Sequence, residues 1–294
     1  ATAETRGTLP LSLKMTRTTT AADPDKLLDT YSGAAAAFSV RKLDKDDTGN
    51  CMRIRRSSDE ATQDIGFTSG GDLDTSAIAS FVGDAYGYVT IWYDQSGNGN
   101  NATQSTSGLQ PMIYDRVAAA VVTENGKPAL QTTAGDELVT ASLSATSFAT
   151  HSGFVCAKSN NTSYASIMEI ANGNGTAGRA VWIGVNNAAT ENFGSAAYGG
   201  QLVFGGDATS QFLGTFIGVN GGSSTTYVDG TQVATATTAT YSASTAGLGL
   251  AGNPNTGNYP FTGVLQECIL YPSDQSSNRS GIEGNINTYF SIYT

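Results

Sequence analysis

The feature that most constrains this chain is a succession of short β-rich runs, each closed by a Gly, Asn, Asp or Ser turn. They fall at Gly87–Asp94, Val117–Thr123, Glu137–Leu143, Gly153–Lys158, Ser166–Ile170, Arg179–Val185, Gln201–Phe204, Phe212–Val219, Thr225–Val233 and Phe261–Tyr271. Ten such runs at short spacing, with few helical periods between them, predict an all-β jelly-roll sandwich. Within Thr225–Val233, Asp229-Gly230 supplies the positive φ values of a tight hairpin turn. Three helices are expected around this sheet structure. One opens at Asp23-Pro24 with Pro24 in its first position, turns Leu27 and Leu28 inward and ends at Gly33. A second starts at Asp72 or Asp74 and carries Ile78 and Phe81. A third covers Ser277–Ser291, with Ile282, Ile286 and Phe290 on one stripe, and packs on the sandwich or its edge. Residues 1–23 lack any sustained period and read as an arm or linker, leaving 24–294 as the sandwich domain.

Composition narrows the function. Only 14% of the 294 residues are charged, while 35 glycines and 38 threonines enlarge the neutral polar fraction. The net charge of −10 argues against a nucleic-acid partner, whose phosphates call for clustered Lys and Arg. No window is apolar and long enough to span a membrane, and the N-terminus lacks a basic-then-apolar leader. Cys51, Cys156 and Cys268 are far apart, and His151 is the lone histidine, so no zinc or iron–sulfur spacing exists and no cofactor is expected. The cysteines read as three buried thiols, with one disulfide as the alternative. His151 lies in a turn-like setting, a poor base for a Ser–His–Asp triad.

Several motifs have a bland reading beside a chemical one. Gly173-x-Gly175-x-x-Gly178 has no helix after it to aim amides at a phosphate, so it reads as a turn. Asp44-x-Asp46-Asp47-x-Gly49 resembles the start of a calcium loop, but its twelfth position is Arg55 where a bidentate Glu is needed, so a solvated turn is expected. Arg53 and Arg55 alternate onto one strand face, where they could capture anionic sugars; a buried ion-pair network that fixes loops, with Asp59, Asp64 and Asp94 as bidentate partners, is the favoured reading. Glycoside hydrolysis requires two opposed carboxylates. Residues 129–294 offer few acids, and the strand residues Glu169 and Glu267 face either a cleft or solvent.

Longer strings carry a family resemblance. Tyr31-Ser-Gly-Ala-Ala-Ala-Ala-Phe38-Ser-Val-Arg41, Arg55-Arg-Ser-Ser-Asp59, Gln63-Asp-Ile-Gly-Phe67 and Trp92-Tyr-Asp-Gln-Ser-Gly-Asn-Gly-Asn-Asn-Ala-Thr-Gln104 resemble the catalytic β-sandwich of B-type α-L-arabinofuranosidases. They are also similar to motifs of phage tail and fibre proteins. Tyr227-Val-Asp-Gly230 and Phe261–Tyr271 resemble the closing strands of laminin-G-like, concanavalin-type jelly rolls. The resemblance implies a nucleophile glutamate at a position occupied here by Ala188, and an acid/base aspartate at a position occupied by Asn253. The family's sugar-binding aspartate becomes Asn186, and its adjacent cysteine pair falls near Ser166-Ile167.

Two expectations follow. In the favoured one, the chain is a non-enzymatic virion protein: a phage tail, fibre or capsid-decoration component. It is displayed as a homo-oligomer among other virion proteins, located on the virion or extracellularly, and binds host-surface glycan weakly through Trp182, Asn186 and Asn253. The alternative is a secreted arabinofuranosidase-like glycoside hydrolase with relocated carboxylates, Glu169 or Glu191 acting with Asp207 or Glu267.

Overall fold

A computed structural model describes residues 25–143, 148–161, 163–171, 179–186, 192–196, 202–219, 221–237, 247–254 and 258–294. The helix α1 (Leu27–Thr30) precedes β1 (Ala36–Ser39), β2 (Met52–Arg56) and β3 (Thr62–Ile65). Next, α2 (Thr75–Val82) leads into β4 (Gly87–Trp92), β5 (Ala102–Thr103), β6 (Met112–Asp115), β7 (Ala120–Val121), β8 (Thr123–Glu124), β9 (Lys127–Pro128) and β10 (Leu130–Thr132). The chain continues through β11 (Leu138–Ser142), β12 (Thr150–Ser159), β13 (Ala165–Ala171), β14 (Arg179–Val185), β15 (Phe193–Ala196) and β16 (Leu202–Gly205). It closes with β17 (Phe212–Val219), β18 (Ser223–Val228), β19 (Thr231–Thr237), β20 (Gly247–Leu250), β21 (Gly263–Tyr271) and α3 (Arg279–Phe290).

The strands pair antiparallel in two layers. One layer is β19–β18–β17–β12–β21, with β1 and β10 sharing the far edge of β21. The other is β3–β2–β4–β5–β11–β20–β13–β14–β15–β16. The strand β6 links them by pairing with both β4 and β10. The layers meet closely: a Cβ on Gly153 of β12 would sit 2.2 Å from Ile183 Cδ1 of β14, and one on Gly214 of β17 would enter the Phe193 ring of β15. These glycines let the sheets interdigitate without a void. The expected nearly all-β sandwich is therefore the fold.

Local chemistry explains most boundaries. Asp74 Oδ1 accepts the Ala77 amide at 2.9 Å and caps α2, as its position before the apolar run implies. Asp229 and Gly230 take φ of +51° and +76°, the geometry that a two-residue hairpin needs. In α3 the stripe Ile282, Ile286, Phe290 is fully buried. Two expectations are corrected. The first helix begins at Leu27 after Lys26, not at Pro24, because Asp29 turns back to accept the Lys26 amide at 2.6 Å and closes the N-terminus there. The run Val117–Thr123 is only partly strand: Val117 is 80% exposed in a turn, pairing starts at Ala120, and the run is split into β7 and the first residue of β8. Residues 1–24, Gly173, Gly175 and Gly178 lie outside the described residues.

Candidate functional site

One row of residues crosses the outer layer from β14 to β11. Trp182 pairs with Glu169, Glu169 with Gly249, and Gly249 with Val139, so all four share the face opposite the core-facing Met168, Leu250 and Leu138. Glycine at 249 is required here. A Cβ would lie 2.6 Å from Gly252 O and 2.8 Å from Pro254 Cδ. Its absence lets the segment after β20 fold back over the row, with Ala251 turning at a φ of +67°. The fold-back delivers Asn253, whose Nδ2 donates to Glu169 Oε1 at 2.8 Å, and whose backbone amide donates to Asn258 O at 3.1 Å.

The sequence-predicted binding residues are thereby located. Asn253 is 1% exposed and Glu169 is fully buried. Trp182 is 3% exposed, its ring lying 5.6 Å from Phe204 and 6.5 Å from Tyr164 in an aromatic cluster. Asn186 closes the β14–β15 connection: its amide donates to Asn192 O at 3.0 Å, and its Oδ1 accepts the Asn192 amide at 3.3 Å. Ala188 and Glu191 lie outside the described residues. Sequence reasoning passed over Glu137, just before β11. Its Oε2 is buried and would sit 3.1 Å from a Cβ on Gly252, and burial alone pushes its carboxyl above the usual carboxylate range. Only its place one residue before a strand core could have marked it.

Two relocated carboxylates drop out. Glu267 is fully buried and bidentate to Arg41, with Nε–Oε2 at 2.8 Å and Nη2–Oε1 at 3.0 Å, while Ser39 Oγ donates to it at 2.7 Å. It faces neither cleft nor solvent, because α3 covers that side of β21 and Asn285 Oδ1 accepts from Arg41. Asp207 folds onto Thr209, accepting its amide and hydroxyl in an exposed turn. His151 is corrected too: it is buried within β12, with Nδ1 3.2 Å from Phe148 O, rather than in a turn.

The arginine network is real but differently wired. Arg53 is bidentate to Asp64 and Arg56 to Asp59, whereas Arg55 reaches Gln110 and Glu60. Asp94 takes amides instead, from Ala37, Ser96 and Asn100, and so builds the Asp-Gln-Ser-Gly loop. Gln95 lies beneath it, accepting from Leu43 N and donating to the carbonyls of Ser39 and Arg41. Cys51, Cys156 and Cys268 are three free, buried thiols. Asp29, Asp44 and Asp46 approach one another, but Asp29 accepts amides from Lys26 and Lys45 and Asp44 one from Asp46, as in a solvated acidic turn. A concavity of 570 Å³ bordered by Asp72, Lys127 and Tyr289 shares no residue with the row.

Known proteins resemble this chain in sequence over its first part and in fold over most of its length. The family described as "Alpha-L-arabinofuranosidase B, catalytic" matches residues 29–134. A probable α-L-arabinofuranosidase B of Aspergillus flavus is 39% identical over 103 residues, covering 32% of this chain and 20% of that protein. An α-L-arabinofuranosidase of Hypocrea jecorina is 37% identical over 102 residues, with the same coverage. The chain thus spans about a fifth of the length of these relatives. The fold extends further. An arabinofuranosidase complexed with arabinofuranosyl-α-1,2-xylobiose superposes with a TM-score of 0.67 at 19% identity, over 86% of this chain and 62% of that one. A GH54 arabinofuranosidase soaked with a cyclic sulfate inhibitor gives 0.66 at 20% identity, over 89% and 63%.

The chain therefore resembles the catalytic domain of B-type arabinofuranosidases over its first part and shares the fold of such enzymes over most of its length. These matches overturn the favoured expectation. The non-enzymatic virion role, with its virion-protein partners, homo-oligomeric display and virion location, rested on motifs that here match glycoside hydrolases.

Proposed function

We propose that the chain is a glycoside hydrolase domain acting on α-L-arabinofuranosyl groups of glycans outside the producing cell. The observation that carries the reading is structural continuity between the family match and the row. Residues 29–134 contain β1 to β10, and within them β5 pairs directly with β11 at Thr103–Val139, the strand that ends the row. The stretch that matches arabinofuranosidases and the face carrying Glu169, Asn253 and Trp182 belong to one sheet.

In this reading the sugar lies against the fold-back over Gly249. Asn253 and Asn186 supply amide hydrogen bonds, and the Trp182 cluster supplies an apolar wall, a few fixed polar groups against an aromatic surface. Glu169 acts as a positioning residue, because its Oε1 fixes the Asn253 amide at 2.8 Å. An amide at 253 has no proton to give, so the acid function must come from a carboxyl elsewhere.

Release of arabinose from arabinofuranosyl-α-1,2-xylobiose by the whole chain tests the proposal. Measurable release that falls when Glu169→Gln weakens the hold on Asn253, chiefly through a raised KM, supports it. Binding of the trisaccharide without release, or neither, overturns the hydrolase reading.

A further inference from the structure

We propose that Glu137 is the general acid for this cleavage, its carboxyl presented at the turn 251–254; the assignment rests on the hydrolase reading above. Two carboxyl side chains meet that turn from opposite sides. Glu169 reaches it from β13 and holds the Asn253 side chain, while Glu137 reaches it from the start of β11 and lies against Gly252. Their spacing follows from the register. Leu138 pairs with Leu250 and Val139 with Gly249, which also pairs with Glu169. Glu137 therefore lies two strands over and about two residues along from Glu169, on the same face. At about 4.8 Å between strands and about 3.4 Å per residue, the two Cα atoms are about 12 Å apart. Both side chains are directed at the shared turn, Glu169 holding Asn253 in place and Glu137 lying beside Gly252.

Glu137 also has the character of a proton donor. Its Oε2 is buried, and among the described residues it has no hydrogen-bond partner and no cation lies against it to hold the carboxylate form. Its chain neighbour Asp136 turns away to accept the Thr133 amide and hydroxyl, at 2.7 and 2.8 Å. The backbone is pinned, with Glu137 N donating to Leu109 O at 3.1 Å and Gln104 Nε2 donating to Glu137 O at 3.2 Å. Burial favours the neutral form, and a raised carboxyl matches a general acid near neutral pH.

In the step, the Glu137 proton passes to the glycosidic oxygen as the C1–O bond breaks, and the aglycone leaves as its alcohol. The Glu137 carboxylate then takes a proton from the water whose oxygen bonds to C1. Arabinose is released and the acid is restored.

The test compares two leaving groups in the whole chain. An alcohol leaving group needs the proton; 4-nitrophenolate leaves without it. Glu137→Gln is expected to lower kcat/KM for arabinofuranosyl-α-1,2-xylobiose by about 100-fold or more, the usual size of acid catalysis, but for 4-nitrophenyl α-L-arabinofuranoside by less than about tenfold. Glu137→Asp, which keeps an acid, is expected to recover part of the loss. Unmodified protein gives an independent check: its pH profile has a basic limb for the xylobioside and none for the nitrophenyl glycoside. Equal losses on both substrates, or the same pH profile for both, overturn the assignment and leave the hydrolase reading standing. Absence of release from either substrate by the unmodified chain overturns both.

Discussion

Glu267 has both carboxylate oxygens engaged by Arg41, and the guanidinium lies 5.1 Å from the Tyr289 ring centroid and 5.8 Å from that of Phe290. Removing one partner of a buried pair strands the other charge, which costs more than the pair contributes. Glu267→Gln is therefore expected to destabilise the protein by about 3–5 kcal/mol, read as a lowered denaturation midpoint at unchanged m. His151 sets a pH window. Burial lowers its pKa from 6.5 to about 4, so the fold prefers the neutral ring. Its contribution is complete above pH 6.5 and is lost as pH falls from there towards 4, by about 3 kcal/mol for such a shift. Stability measured between pH 7 and 4 should fall less steeply in His151→Gln by about one proton. Glu137 has the opposite sign. With its carboxyl raised by burial, its own contribution to stability is greatest below about pH 4.5 and declines above it, so Glu137→Gln should melt at or above the unmodified protein at pH 7.

At the scale of elements, glycines decide how closely strands approach. A Cβ on Gly184 of β14 would lie 2.1 Å from Ala165 O of β13, a backbone atom that cannot swing aside. Gly184→Ala must open the β13–β14 ladder, which carries Glu169 and Trp182 side by side. It should destabilise by about 1–3 kcal/mol and raise KM for an arabinofuranosyl substrate more than it lowers kcat; an unchanged melting curve would contradict the close approach. The loop after β4 shows the same logic with hydrogen bonds. Asp94 serves three amides and the Ser96 hydroxyl, so the most recognisable string of the sequence is a device for holding β1 to β4 rather than a reactive centre.

On the scale of the whole molecule, the layers depend on partners distant in sequence. The strands β1 and β10, both inside the family-matched stretch, hydrogen-bond to β21, and Ala36 pairs with Leu270. Residues 29–134 expressed alone leave those edges open and should give an unfolded circular-dichroism spectrum, while the full chain melts cooperatively. A folded fragment would show that the two parts are independent.

Patterns confined to a few neighbouring residues were legible from the sequence alone. The stripe Ile282, Ile286, Phe290, the Asp229-Gly230 turn, an acidic cap for α2 at Asp72 or Asp74 and the buried cysteines each follow from spacing or from one residue's chemistry, and sequence strings also carried the likeness to arabinofuranosidases. Burial of polar groups was not legible, since it depends on which element packs over a strand. Alternation could not tell whether Glu267 met solvent or Arg41 under α3, nor that Gly249 would let Asn253 fold back onto Glu169 with Glu137 on the other side of the turn. Period and propensity act over a few residues, while the pairing of carboxyls with their partners spans tens to hundreds and is fixed only when the sheets close.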